Sequence, residues 1–228
     1  MFANSSPVVS NQTGPHERLE ATVRRHLSQP WRAPLAEHDR RAFDQARQWL
    51  GDDARPLILD SGCGTGRSSV MLARRFPQAR VLGLDQSEHR LQRGERRFGE
   101  ALPENLRLVR CDCAGFWRLA QDAGWRVQRH YLLYPNPWPK SAHLKRRWHG
   151  HPVFPHLLAL GGELEARSNW RLYLEELAAA LALAGITASV TPVADTEETL
   201  TDFEEKYRLS GHQLWRLSAI LGGGPGAA

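Results

Sequence analysis

Apolar and polar positions along this chain repeat in one order: a short apolar run, then a longer stretch with helical spacing. Pro56-Leu57-Ile58-Leu59-Asp60 is the first clear run, and glycines follow it at once. A buried parallel strand enters a ligand-binding turn in this way. Further runs predict strands over 80–85, 106–110, 130–134, 163–166, 185–190 and 213–220. Between them the spacing predicts helices over 68–76, 88–98, 116–123, 152–160 and 170–183, with two more upstream over 16–26 and 38–50. Phe43, Ala46, Trp49 and Leu50 give the helix over 38–50 an inner face, and Gly51 stops it. Strand and helix alternate, so the expected fold class is α/β, with a mostly parallel central sheet and helices on both faces. Residues 1–15 lack periodicity and predict a disordered tail, 16–221 a single folded domain, and 222–228 a flexible end.

Composition narrows the picture. The chain carries 30 Lys and Arg against 25 Asp and Glu, a formal charge of +5. That excess favours a phosphate-rich partner without requiring one. No apolar run approaches the roughly 18–20 residues of a membrane span. The first residues lack a basic start and an apolar middle, so a soluble, cytoplasmic protein is expected. Cys63 lies in the glycine loop, and Cys111 and Cys113 flank Asp112. A lone C-x-C without a His cluster reads as buried thiols in a reducing compartment, so no metal site is expected.

The loop Asp60-Ser61-Gly62-Cys63-Gly64-Thr65-Gly66 joins a predicted strand to a predicted helix. Such a turn brings backbone close to a ligand and aims a helix N-terminus at it. Gly62, Gly64 and Gly66 alone are compatible with a purely structural turn. Two acids add weight: Asp85 ends the second strand, where a carboxylate can hold ribose hydroxyls, and Asp112 follows the third, where it can accept from an adenine amino group. A nicotinamide dinucleotide competes for this reading. It prefers G-x-G-x-x-G, whereas this loop continues Gly66-Arg67-Ser68-Ser69. Asp60 would repel a pyrophosphate yet could engage an ammonium, which favours S-adenosylmethionine.

The fourth strand runs into Tyr134-Pro135-Asn136-Pro137-Trp138-Pro139-Lys140, a proline-fixed turn where an acceptor would meet a methyl group. His143, Lys145, Arg146, Arg147 and Trp148 follow, a basic patch with interleaved aromatics suited to phosphate contact and base stacking. A solvated charged loop is the plainer alternative.

These motifs resemble the TrmB family of tRNA guanine-N7 methyltransferases, which carry a P-D-P-W-x-K turn followed by H-x-K-R-R. The resemblance spans about 57–215 and adds Gly161-Gly162, Asn169-Trp170 with Tyr173, Thr201-Asp202-Phe203-Glu204, Gly211-His212 and Trp215. It implies a Rossmann-like, class I methyltransferase domain over 16–221 that uses S-adenosyl-L-methionine. Its cofactor residues would be Asp60, Gly62, Gly64, Gly66, Asp85 and Asp112. Asn136 would serve catalysis, and Lys140, Asn169, Thr201, Asp202, Phe203 and Glu204 would serve the substrate. tRNA is the implied partner, met by the basic segment 140–147.

Three positions depart from the family. Asn136 and Asn169 stand where Asp is usual, and Asp202 stands where Lys is usual. Guanine N7 bears no proton, so its methylation needs no base, but it leaves a positive purine that a carboxylate would stabilise. Two further readings stay open: a methyltransferase for another acceptor such as an amine, served by Asn136-Pro137-Trp138, and a non-catalytic member that binds donor or RNA.

Overall fold

The computed structural model describes residues 4–222; most of the flexible end expected over 222–228 lies outside them. Seven strands form one sheet: β1 (Leu57–Ser61), β2 (Arg80–Asp85), β3 (Leu106–Arg110), β4 (Arg129–Leu133), β5 (Gly162–Ser168), β6 (Ala188–Pro192) and β7 (Trp215–Leu221), in the order β3-β2-β1-β4-β5-β7-β6. The first five run parallel, and β7 inserts antiparallel between β5 and β6. Strand order reverses between β1 and β4, and sheets of this kind bind ligands outside the carboxyl ends of the strands at such a reversal.

Eight α-helices accompany the sheet among the described residues: α1 (Leu19–Ser28), α2 (Glu37–Leu50), α3 (Arg67–Arg75), α4 (Glu88–Phe98), α5 (Cys113–Asp122), α6 (Phe154–Leu160), α7 (Arg171–Leu183) and α8 (Asp202–Leu209). The alternating strand residues separate two cores. Leu59, Leu82, Leu132 and Leu164 pack with Phe43, Phe116, Trp117, Leu157 and Leu177 on one face. Ile58, Val81, Tyr131 and Leu133 pack with Val70, Leu72 and Leu200 on the other. Helix α3 presses closely on β2: a Cβ at Gly83 would lie 2.3 Å from Ser69 Oγ, so only glycine fits there.

The alternating pattern therefore located every strand, with shifts that have local causes. The strand expected over 185–190 begins at Ala188. Gly185, at φ +77°, and Ile186 are spent closing α7, their amides donating to Ala182 O and Leu181 O. Helix α5 starts three residues before the expected 116, because the Asp112 carboxylate accepts from Ala114 N and caps it. Helix α8 was not expected at all. Its start is capped by Thr201 Oγ1, which accepts from Glu204 N at 2.9 Å, and Thr-x-x-Glu is a capping signature visible in the sequence.

The stretch expected as a tail also differs. Residues 4–15 have no helix or strand, yet they lie along the body in specific hydrogen bonds, from Ser5 with Ser210 and His212 to Gln12 with Glu176. Their partners come from residues far along the chain, which no local pattern reveals.

Candidate active site

The cofactor, catalytic and substrate residues expected from the sequence all fall at one edge of the sheet, the carboxyl ends of the parallel strands and the loops beside them. β1 delivers Asp60 and the glycine loop, β2 delivers Asp85, and β3 leads to Asp112. β4 leads to Asn136, β5 to Asn169, and the segment before β7 carries Thr201–Glu204. Because Ser168 pairs with Trp215, that last segment returns to the same edge.

On the donor side, Gly62, Gly64 and Gly66 take φ of +82°, +62° and +75°, a backbone region that favours glycine. A Cβ at Gly62 or Gly64 would meet nothing within 4 Å, so the loop leaves room against its backbone. Gly66 has no such room, since Leu108 Cδ2 would lie 2.9 Å from its Cβ. Asp60 is 1% exposed. Its Oδ2 accepts from Ser68 Oγ at 2.5 Å and Ser69 Oγ at 2.6 Å, while its buried Oδ1 has no partner. Burial raises the Asp60 pKa, the two serine hydroxyls partly offset this, and the result is about 6. An unpartnered buried carboxylate oxygen beside an open glycine loop fits a ligand that carries an ammonium group.

Asp85 is also buried and ties the loop together, accepting from Gly64 N at 2.9 Å and Ser87 N at 2.8 Å. Asp112 is exposed at the start of α5. Support comes from residues that sequence reasoning did not single out for the site. His130 on β4 lies 2.8 Å from Ser61 Oγ, which also accepts from Trp117 Nε1 at 3.0 Å. Burial lowers the His130 pKa to about 3 and keeps it neutral. The wholly buried ring braces the loop from beneath.

On the acceptor side, the chain leaves β4 through Tyr134 at φ +53° and reaches Trp138 at φ +46°, left-handed conformations that cost energy for bulky residues. Asn136 is exposed, and its Oδ1 accepts from Trp138 N at 3.3 Å. Lys140 is exposed. Asn169 Nδ2 lies 3.1 Å from His212 Nδ1, and His212 Nε2 lies 2.9 Å from Ser5 O. The two bonds agree if Nε2 carries the proton and Asn169 donates. Phe203 is 51% exposed and stacks on Tyr207, which stacks on His212.

Two assigned roles need correction. Glu204, expected to touch substrate, is wholly buried: Oε1 accepts from Arg167 Nη1 at 2.6 Å and Oε2 from Leu200 N at 2.8 Å. With no exposed surface and its charge paired with the buried Arg167, Glu204 holds the start of α8 rather than a ligand. Arg147, expected to meet phosphate with the rest of 140–147, is 1% exposed and pairs with the buried Glu176 of α7. Only Lys140, Lys145 and Arg146 of the basic segment's cations stay exposed, Arg146 lying over the Trp138 ring. Asp202 is different again. It accepts from Thr65 Oγ1 at 3.1 Å, Arg67 Nη1 at 3.2 Å and Arg97 Nη1 at 2.9 Å. The acid at this position is thus neutralised by two arginines and fastens α8 to the glycine loop.

A seven-stranded α/β sheet with one antiparallel strand, and a glycine loop at its strand-order reversal, defines a Rossmann-like, class I methyltransferase fold. Solved structures agree. A 16S rRNA (adenine(1408)-N(1))-methyltransferase from Catenulisporales acidiphilia matches 82% of this chain and 93% of its own with a TM-score of 0.57, at 19% identity. An antibiotic-resistance methyltransferase matches 80% of this chain and 94% of its own with a TM-score of 0.55, at 21% identity. At such identities the likeness is one of fold.

The family follows from the sequence match. Residues 54–217 fit the model of the family described as "Putative methyltransferase", and the chain belongs to it. It is similar to a tRNA (guanine-N(7)-)-methyltransferase of Neisseria gonorrhoeae (strain NCCP11945), 28% identical over 172 residues, covering 72% of this chain and 71% of the relative. A tRNA (guanine-N(7)-)-methyltransferase of Geobacillus kaustophilus (strain HTA426) is 24% identical over 182 residues, covering 76% of this chain and 82% of the relative.

Proposed function

We propose that this methyltransferase uses S-adenosylmethionine to methylate guanine N7 of tRNA, in the cytoplasm. One observation carries the reading. The glycine loop with the unpartnered Asp60 Oδ1 and the proline turn with exposed Asn136 leave adjacent strands, β1 and β4, at the strand-order reversal. The relatives named as tRNA (guanine-N(7)-)-methyltransferases supply the acceptor.

Asp60 Oδ1 would bind the donor's ammonium, Asp85 its ribose hydroxyls and Asp112 its adenine amino group. The donor supplies an electrophilic methyl group on a sulfonium. The guanine N7 lone pair would accept that methyl group, the positive charge passing from the sulfonium to the purine. No residue has to remove a proton. Asn136 contributes an amide dipole at the acceptor turn, and the open ring of Phe203 offers a face for base stacking. Lys140, Lys145 and Arg146 would meet phosphate. No helix among the described residues is long and apolar enough to cross a membrane, and none of their His, Cys, Asp and Glu form a metal-ligating group.

The test is incubation with methyl-labelled donor and unmodified tRNA, followed by nucleoside analysis. N7-methylguanosine is the expected product. Label on an exocyclic amine would establish the amine reading instead, and donor binding without any tRNA methylation would overturn the tRNA acceptor and leave the other-acceptor and non-catalytic readings.

A further inference from the structure

Residues 10–12 line the back of the acceptor turn. Ser10 Oγ donates to Pro139 O at 2.6 Å, and Asn11 Oδ1 accepts from Ser141 N at 3.2 Å. Between them and α7 sits the Arg147 guanidinium. Its Nε and Nη2 donate to Trp138 O at 3.2 and 3.0 Å, and Nη2 also reaches Lys140 O at 3.4 Å. Nη1 pairs with Glu176 Oε2, and Nη2 also pairs with Gln12 Oε1. Gln12 Nε2 in turn donates to Glu176 Oε1 at 3.0 Å, and that oxygen also takes His16 N at 2.8 Å.

The turn needs such a hold. Trp138 sits at φ +46°, a conformation that its own side chain disfavours and that surrounding contacts must impose. Among the described residues, the planar fork that grips Trp138 and Lys140 by their carbonyls is that of Arg147. Gln12 bridges that fork to its counter-ion, accepting from Arg147 and donating to Glu176. Removing the bridge takes one partner from Arg147 Nη2, which keeps Trp138 O and Lys140 O, and one from Glu176 Oε1, which keeps His16 N; the fork is then tied to its counter-ion by Nη1 alone and is free to shift.

We infer that Gln12 is a positioning residue for the acceptor turn, acting through the buried Arg147–Glu176 pair on Trp138 and thereby on Asn136. The inference rests on the reading of 136–140 as the turn that meets the acceptor. It turns a stretch without secondary structure into part of the active-site framework.

Two readouts on the full chain test it, with Gln12→Ala beside the parent protein. Amide hydrogen exchange over 137–143 should speed up about tenfold, while exchange in β1 and β2 stays unchanged. The kcat on tRNA should fall about tenfold to a hundredfold, as misplaced acceptor groups cause, with donor affinity unaltered. Arg147→Lys keeps a charge beside Glu176 but not the fork, and should reproduce both effects. Unchanged exchange over 137–143 in Gln12→Ala overturns the inference whatever the activity. Faster exchange with undiminished kcat in an active enzyme overturns it as well. A parent protein that methylates no tRNA sinks the proposed acceptor instead, and the exchange result then decides the role of Gln12 alone.

Discussion

Asp60, on the donor side of the crevice, and Glu176, beneath the acceptor turn, are both buried carboxylates held in opposite ways. Asp60 has two hydroxyl partners on one oxygen and none on the other. Glu176 has its oxygens filled by Gln12, His16, Arg147 and His149. Burial raises both pKa values. For Asp60 it prevails, giving about 6, whereas the His149 and Arg147 donors overwhelm it for Glu176 and hold that acid at about 2. The donor side thus keeps an interaction in reserve for a ligand, while the acceptor side spends its buried charge on its own architecture.

The largest effect should come from opening the filled side. Glu176→Ala strands Arg147 in the interior and should cost about 3–5 kcal/mol of unfolding free energy, read by denaturant titration. Because Glu176 is depressed below its ordinary 4.5, its contribution is present above that pH and fades as pH falls toward about 2. Arg146→Ala, at the exposed neighbour, should stay within about 0.5 kcal/mol of the parent. Equal losses at both positions would erase the contrast.

Next come the donor carboxylates. Asp85→Ala should weaken donor binding by about 1.5–3 kcal/mol in calorimetry. Asp60 should make that binding depend on pH. Its folded pKa of about 6 lies above the ordinary 3.8, so acidification through 6 protonates it and weakens its grip on an ammonium. The same shift means that the free protein loses stability as pH rises from about 4 to 6, and bound donor should restore it. Donor affinity that stays level between pH 5 and 7 would remove Asp60 from the site.

A smaller effect should follow from returning an acid to the acceptor turn. Asn136→Asp keeps the oxygen that accepts from Trp138 N and adds a negative charge where the proposed acceptor would sit. N7-methylguanosine formation should rise about tenfold. Asn169→Asp should bring no such gain, because the amide N–H that serves His212 is lost. A parent already faster than Asn136→Asp would show that the amide suffices.

The smallest effect concerns the surface. Neutralising Lys145 and Arg146 together should lower the log–log salt slope of RNA binding by about 2 units. An unchanged slope would move the RNA surface elsewhere.

Much of this site was legible before folding was considered. Asp60, the glycines and Asp85 follow apolar runs directly, so their place at strand ends could be read from neighbours in sequence. The proline turn was legible too, since prolines and an Asx residue write their own conformation. Arg147 and Glu204 were not. Their residue types match a phosphate contact and a substrate contact, and nothing local distinguishes an exposed Arg146 from a buried Arg147. Gln12 offered even less, lying in a stretch whose partners come from positions such as Glu176 and Arg147.

The sequence by itself determined the alternation of strands and helices, the glycine loop, the acids that follow β2 and β3, and the turn after β4. These depend on periodicity and backbone preference, which act over a few residues. Tertiary structure alone decided which charges face a ligand and which face each other. That choice depends on burial, and burial is set by segments far apart in the chain: residues 10–12 against 138–147, Glu176 on α7, and α8 against the glycine loop. A carboxylate or guanidinium becomes a binding group only where the fold leaves one of its lone pairs or N–H groups without a partner.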